Sequence, residues 1–241
     1  MTVTAVQSIT PKIGRLVVVG LGLIGGSFAK GLRERGLCRE VVGVDLDAES
    51  RRLAVQLGVV DRCESDLAAA CQGADVIQLA VPILAMEKVL AQLAALDLGN
   101  AVLTDVGSAK GNVVRAARLA FSGKAVRLVP GHPIAGSEQS GVEAANAELF
   151  RRHKVILTPC EYSDEAALAL VEGLWRELGA DVEAMEVEHH DQVLAATSHL
   201  PHLLAFTLVD SLAKRSENLE IFRYAAGGFR DFTRIAGSDP V

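Results

Sequence analysis

His132 stands between a glycine and a proline in PGHPIAGSEQSG (residues 130–141), at the end of an apolar run. A histidine so placed can finish a strand, ligate a metal or move a proton, and its ordinary pKa of about 6.5 suits proton transfer near neutrality. Upstream, TDVGSAKG (104–111) carries Ser108, whose hydroxyl can orient a histidine or a substrate hydroxyl. A serine there can also simply cap the helix that follows, and GSAKG lacks the spacing of a Walker phosphate loop. In TSHLPHLL (197–204), Ser198, His199 and His202 are spaced to share one face of a helix. Zinc is an alternative reading of these histidines with His189 and His190 nearby. HExxH is absent, however, and no Cys or Glu stands at ligand spacing, so no metal is expected. GGFRDFTR (227–234) sets Arg230 and Arg234 about Asp231. Those arginines are either surface charge or a bidentate grip on a carboxylate.

Such residues act together only if a fold gathers them. Short β-branched runs alternate with helical stretches: RLVVVG (15–20), EVVGVD (40–45), DVIQLAV (75–81), AVLTDV (101–106), AVRLVP (125–130) and KVILTP (154–159), with helices near 25–36, 48–57 and 84–95. Apolar runs without strict alternation fit strands covered on both faces, and regular βαβ order implies an α/β, Rossmann-type, doubly wound, mainly parallel sheet. Ligands then bind beyond the carboxyl ends of the strands. Those ends are the glycine loop, Asp45, Val81–Pro82, TDVGSAKG and PGHPIAG, which places His132 and Ser108 on one edge.

The first strand runs into GLGLIGG, where Gly20, Gly22 and Gly25 fit G-x-G-x-x-G ahead of a helix. The three glycines serve a tight turn, close approach to a pyrophosphate and helix–strand packing. The helix start supplies N–H groups for the phosphates. Asp45, at the end of the second strand, can accept from a ribose 2′-hydroxyl and repels a 2′-phosphate. NAD is therefore expected, with NADP disfavoured although Arg51 and Arg52 lie close by. The cofactor-binding set is Gly20, Gly22, Leu23, Ile24, Gly25, Asp45, Val81, Pro82 and Ser108.

After ADVEAMEVEHHD (180–191) the sequence reads as helix. Two domains are expected: a cofactor-binding domain over 1–187 and a smaller all-helical domain over 188–241 that looks truncated at its C-terminus. So short a helical segment either relies on a partner subunit or belongs to a longer polypeptide. Residues 193–213 approach the length of a membrane span but carry two histidines, a proline and an aspartate, so a buried helix is expected. The net charge of −6 argues against nucleic acid and anionic membranes as partners. Four cysteines without C-x-x-C spacing, and no signal-peptide pattern, point to a reducing cytoplasm.

Taken together, VVVGLGLIGGSFAKGL, DVGSAKG, GHPIAGSEQSGVEAA, SHLPH and GGFRDFTRIAGSDP resemble the prephenate/arogenate dehydrogenase family of tyrosine biosynthesis. The resemblance runs in order from about residue 15 to the end. It implies NAD(P)-dependent oxidative decarboxylation of a cyclohexadienol. By that resemblance His132 takes the hydroxyl proton and Ser108 positions the hydroxyl and the nicotinamide. Arg234 binds the ring carboxylate with Asp231 holding it, while His202 lines the substrate pocket with Ser198 and Gly227. Glu138 stands at the pocket mouth. Family members continue into further helices that form most of a homodimer interface. The rivals are another NAD-dependent dehydrogenase of the 3-hydroxyacid type, which does not explain HPIAG at a strand end, and a non-catalytic NAD-sensing module.

Overall fold

The computed structural model describes residues 12–137, 139–215 and 218–237. Ile13–Val19 (β1), Cys38–Val44 (β2), Arg62–Glu64 (β3), Val76–Leu79 (β4), Val102–Asp105 (β5) and Arg127–Val129 (β6) form a parallel sheet ordered β3-β2-β1-β4-β5-β6. Helices α1 (Leu23–Glu34), α2 (Ala48–Gln56), α3 (Leu67–Cys71), α4 (Ile83–Leu93) and α5 (Lys110–Ala120) return the chain between them. The reversal of strand order falls between β1 and β4, which is where such sheets open a ligand crevice.

Both faces of β1 are apolar because both are covered. Leu16 and Val18 pack with Phe28, Leu32, Phe150 and Trp175 on one side, and Val17 and Val19 with Ile77, Leu79, Met86 and Leu90 on the other. Trp175 anchors the first core, its ring centroid 4.5 Å from that of Phe28 and 4.9 Å from that of Phe150.

The chain then makes a second sheet that the sequence pattern does not announce. Gly131–Pro133 (β7) runs antiparallel to Lys154–Leu157 (β8), and Asp181–Ala184 (β9) joins β8 in parallel after helix α6 (Glu165–Glu177). His132 therefore lies in a strand, opposite Ile156. Proline is tolerated there because β7 is an edge strand, where a missing N–H breaks no ladder. KVILTP does form a strand, but in this smaller sheet.

The remaining elements are helical: α7 (Val187–Leu194), a π-helical turn over Ala195–His199, α8 (Leu200–Ala213), α9 (Asn218–Arg223), α10 (Gly227–Thr233) and a 3-10 turn over Arg234–Gly237. Val187–Ala213 is a continuous 27-residue helical stretch, long and apolar enough to cross a membrane by length and composition. The expected burial of this stretch is not met within one chain. Ala205 is the one buried residue of α8, and Leu200, Leu203, Leu204 and Phe206 stand exposed. The sheet domain covers α7 at its start and leaves most of α8 without a facing layer.

Candidate active site

The glycine loop is shaped by what crowds it. A Cβ on Gly20, which sits at φ +98°, would collide with the Ala80 carbonyl, and one on Gly25 with the Gly20 carbonyl and the Ala80 side chain. Gly22 has nothing within 4 Å of its Cβ position, so it faces open space where a phosphate group fits. Gly22 also precedes α1 without any side-chain cap, which leaves the first-turn N–H groups around Leu23, Ile24 and Gly25 for an anion. Asp45 ends β2 with its carboxylate held by the N–H of Leu21 at 2.8 Å and of Asp47 at 2.9 Å. Arg51 bonds the carbonyls of Asp45 and Leu46 through Nη1, and Arg52 pairs with Glu49, so both arginines are engaged within the protein. These residues fit a dinucleotide with a free ribose hydroxyl. Val81 and Pro82 close the crevice, with Pro82 leading into α4.

At the same edge, β5 and β6 deliver Ser108 and His132. Ser108 is exposed, and the residue that caps α5 is Ala109, so the capping role allowed to Ser108 is not the one it fills. The cap comes from another helix. Asp191 of α7 accepts from the N–H of Lys110 at 2.8 Å and of Gly111 at 2.9 Å. A Cβ on Gly111 would approach the Asp191 carboxylate to 2.8 Å, which accounts for a glycine inside the first turn.

Asp191 also holds the buried His190, Oδ1 to Nδ1 at 2.9 Å, and His190 Nε2 lies 2.9 Å from His132 Nδ1. Behind His132, the fully buried Lys110 ammonium bonds Asp105 and, at 2.5 Å, the Gly131 carbonyl. Burial pulls Lys110 below its ordinary pKa while Asp105 pulls it back up. Burial, then the Lys110 charge, then His190 and His199, push His132 down to about 3, against a smaller opposing effect of Asp191. His190 is also lowered, chiefly by burial, with its Asp191 bond opposing. Burial raises Asp191, but its bonds from His190 and the α5 backbone outweigh this and hold it low. His132 is thus a neutral imidazole ready to accept a proton.

His190, Asp191, Lys110 and Asp105 were not singled out as site residues from the sequence, where His190 figured only as a metal candidate. The available signal was EHHD at the start of a helix. Of the remaining candidates, Ser198 lies in the π turn and offers its carbonyl to His202 Nδ1 at 2.8 Å, so His202 presents Nε2 outward. A π turn at this point is the kind of local irregularity that functional sites often use. Gly227 and Asp231 lie on α10 and Arg234 opens the 3-10 turn, elements that pack on α8, the helix that carries His202. Glu138 lies outside the described residues. An open concavity lined by Lys12, Asp75, Asn100 and Arg127 is at the opposite, amino-terminal edge of the strands, away from all of these groups.

The parallel sheet, its uncapped glycine loop, Asp45 and a neutral histidine on one edge define an NAD-binding oxidoreductase of the doubly wound class. The family model described as "Prephenate dehydrogenase, nucleotide-binding domain" matches residues 28–184, and "Prephenate dehydrogenase, dimerization domain" matches 186–241. The chain belongs to the prephenate dehydrogenase family. It is 37% identical over 231 residues to the cyclohexadienyl dehydrogenase of Zymomonas mobilis, covering 93% of this chain and 77% of that protein. Against the prephenate dehydrogenase of Bacillus subtilis it is 39% identical over 230 residues, covering 94% of this chain and 61% of that one. The structure of A. aeolicus prephenate dehydrogenase in complex with hydroxyphenyl propionate and NAD+ superposes with a TM-score of 0.87 at 39% identity, covering 97% of this chain and 81% of that one.

Proposed function

We propose that this protein oxidatively decarboxylates prephenate to 4-hydroxyphenylpyruvate, arogenate to tyrosine, or both, with NAD. The observation that carries the reading is a neutral His132 held on the cofactor edge by its Nδ1, in a chain of this family. His132 takes the proton of the ring hydroxyl as the carbon that bears it is oxidised. The bond to the ring carboxylate breaks, CO2 leaves, and the electron pair of that bond completes the aromatic ring. NAD, when bound, supplies the hydride acceptor. Gly20, Gly22, Leu23, Ile24, Gly25 and Asp45 would hold it, with Val81 and Pro82 beside the nicotinamide. Ser108 orients the hydroxyl, while Arg234, with Asp231, Gly227, Ser198 and His202 about it, binds the carboxylate end. Aromatisation makes the step downhill, so placement and one base suffice.

The cofactor domain extends to about residue 187, and residues 188–241 carry substrate contacts and a homodimer interface. Four free cysteines, two of them buried, support a cytoplasmic location.

The test is NAD reduction with each substrate, by this chain and by His132→Asn. Turnover with at least one substrate, cut by ~10² or more in the variant with KM nearly unchanged, is expected of a lost base. No reduction with either substrate would overturn the assignment of activity; an undiminished variant would overturn that of the base.

A further inference from the structure

We propose that His190 and Asp191 are positioning residues that fix the tautomer of His132 and so make its Nε2 the base. The inference rests on His132 being that base and adds what makes it one.

The direction of the chain follows from its end. An ionised carboxylate can only accept hydrogen bonds. Both oxygens of Asp191 already accept backbone N–H groups at the start of the 11-residue α5, a position that favours a negative charge. Oδ1 therefore also accepts a hydrogen bond from the N–H at His190 Nδ1, 2.9 Å away. A neutral imidazole carries one N–H, so His190 Nε2 is left as an acceptor. It faces His132 Nδ1 at 2.9 Å, which must then be the donor. The His132 Nε2 lone pair is what remains, on the side away from α7.

The groups around His132 agree with this order. Lys110 from α5 bonds the Gly131 carbonyl, Asp105 from β5 neutralises Lys110, and His199 approaches from the π turn. Among these described groups only His190 is placed to accept from His132 Nδ1. When Nε2 takes the substrate proton, Nδ1 keeps its own, and the new charge sits one imidazole away from the Asp191 anion. The nearby Lys110 ammonium opposes that charge, so the anion matters most at that moment.

Two measurements test this on the whole chain. In nitrogen-15 histidine spectra of the free protein near neutral pH, His132 should show a protonated Nδ1 and a bare Nε2. The opposite tautomer would overturn the proposal. In turnover, His190→Leu removes the acceptor, and kcat should fall by ~10² with KM for substrate and NAD little changed. His190→Gln keeps an amide oxygen for His132 and an N–H for Asp191, so it should recover about tenfold or more of that loss. Adding His190→Leu to His132→Asn should cost nothing further, since residues acting as a unit are not additive. A His190→Leu enzyme with unchanged kcat, or a Gln variant as slow as the Leu variant, would overturn the proposal while leaving His132→Asn slow. An undiminished His132→Asn would instead remove the base on which both readings stand.

Discussion

The proton affinity of His132 is set less by its own chemistry than by where the sheet ends put it. From the residue type alone a pKa of about 6.5 is expected. Burial first, and then the Lys110 charge fixed behind Gly131, push it down to about 3 in the structure. A base must be unprotonated to act, so activity is present above the pKa and lost as pH falls through it. The acid limb of kcat/KM should therefore lie well below 6.5, leaving the rate flat as pH is lowered from 8 into the range where a free imidazole would already be charged. A limb with its midpoint at or above 6.5 would show that Lys110 and burial do not act on His132 as the geometry indicates. Asp45 is the counterexample at this scale. The role proposed for it follows from its place just after β2, and the neighbouring Arg51 and Arg52 bond carbonyls and Glu49.

Elements decide how much of such a site sequence can reveal. The six apolar runs read as strands are strands, because a strand buried on both faces announces itself by composition. β3 and β9 do not: RCE and DVEA are short and mixed in polarity, and only the neighbouring strand makes them part of a sheet. The same limit hid half of the site. Ser108 and His132 follow strand ends and could be placed by topology, whereas His190 and Asp191 matter because α7 docks on α5, a contact between residues about 80 positions apart that no local pattern encodes. Lys110 is hidden likewise, since lysine is seldom buried without a partner. Its bonds to Asp105 and Gly131 join β5, α5 and β7. Lys110→Met should strand a buried Asp105 charge and destabilise the fold by about 3–5 kcal/mol. The check is the urea midpoint at unchanged m value, compared with Arg118→Ala, which breaks the exposed Arg118–Glu161 pair and should cost under about 1 kcal/mol. Equal small losses would mean that the buried pair does not hold these elements together.

On the scale of the whole molecule, the helical half is unlike the sheet half in what it leaves uncovered. Leu200, Leu203 and Leu204 recur at helical spacing with Phe206 beside them, and their exposures of 50%, 62%, 51% and 47% are those of a face lacking its second layer. A contiguous apolar face of this kind marks an interface. Length and composition alone also permit a bilayer. But the same continuous helix carries near its start His190, fully buried, and Asp191, bonded to the start of α5, so its first turns are committed to the sheet domain. Residues 186–241 match the dimerization domain of the family, and in the proposed homodimer a second copy of this face would supply the missing layer. The chain should therefore sediment as a dimer at micromolar concentration without detergent, and Leu203→Glu should shift it to monomer by placing a charge in the apolar contact. His132, His190 and Asp191 all belong to one chain, so the nitrogen-15 tautomer pattern of His132 should survive in that monomer. A wild-type chain that sediments as a monomer would remove the dimer assignment. A tautomer pattern lost together with the dimer would show that α7 is held on α5 by the partner and not by the carboxylate cap.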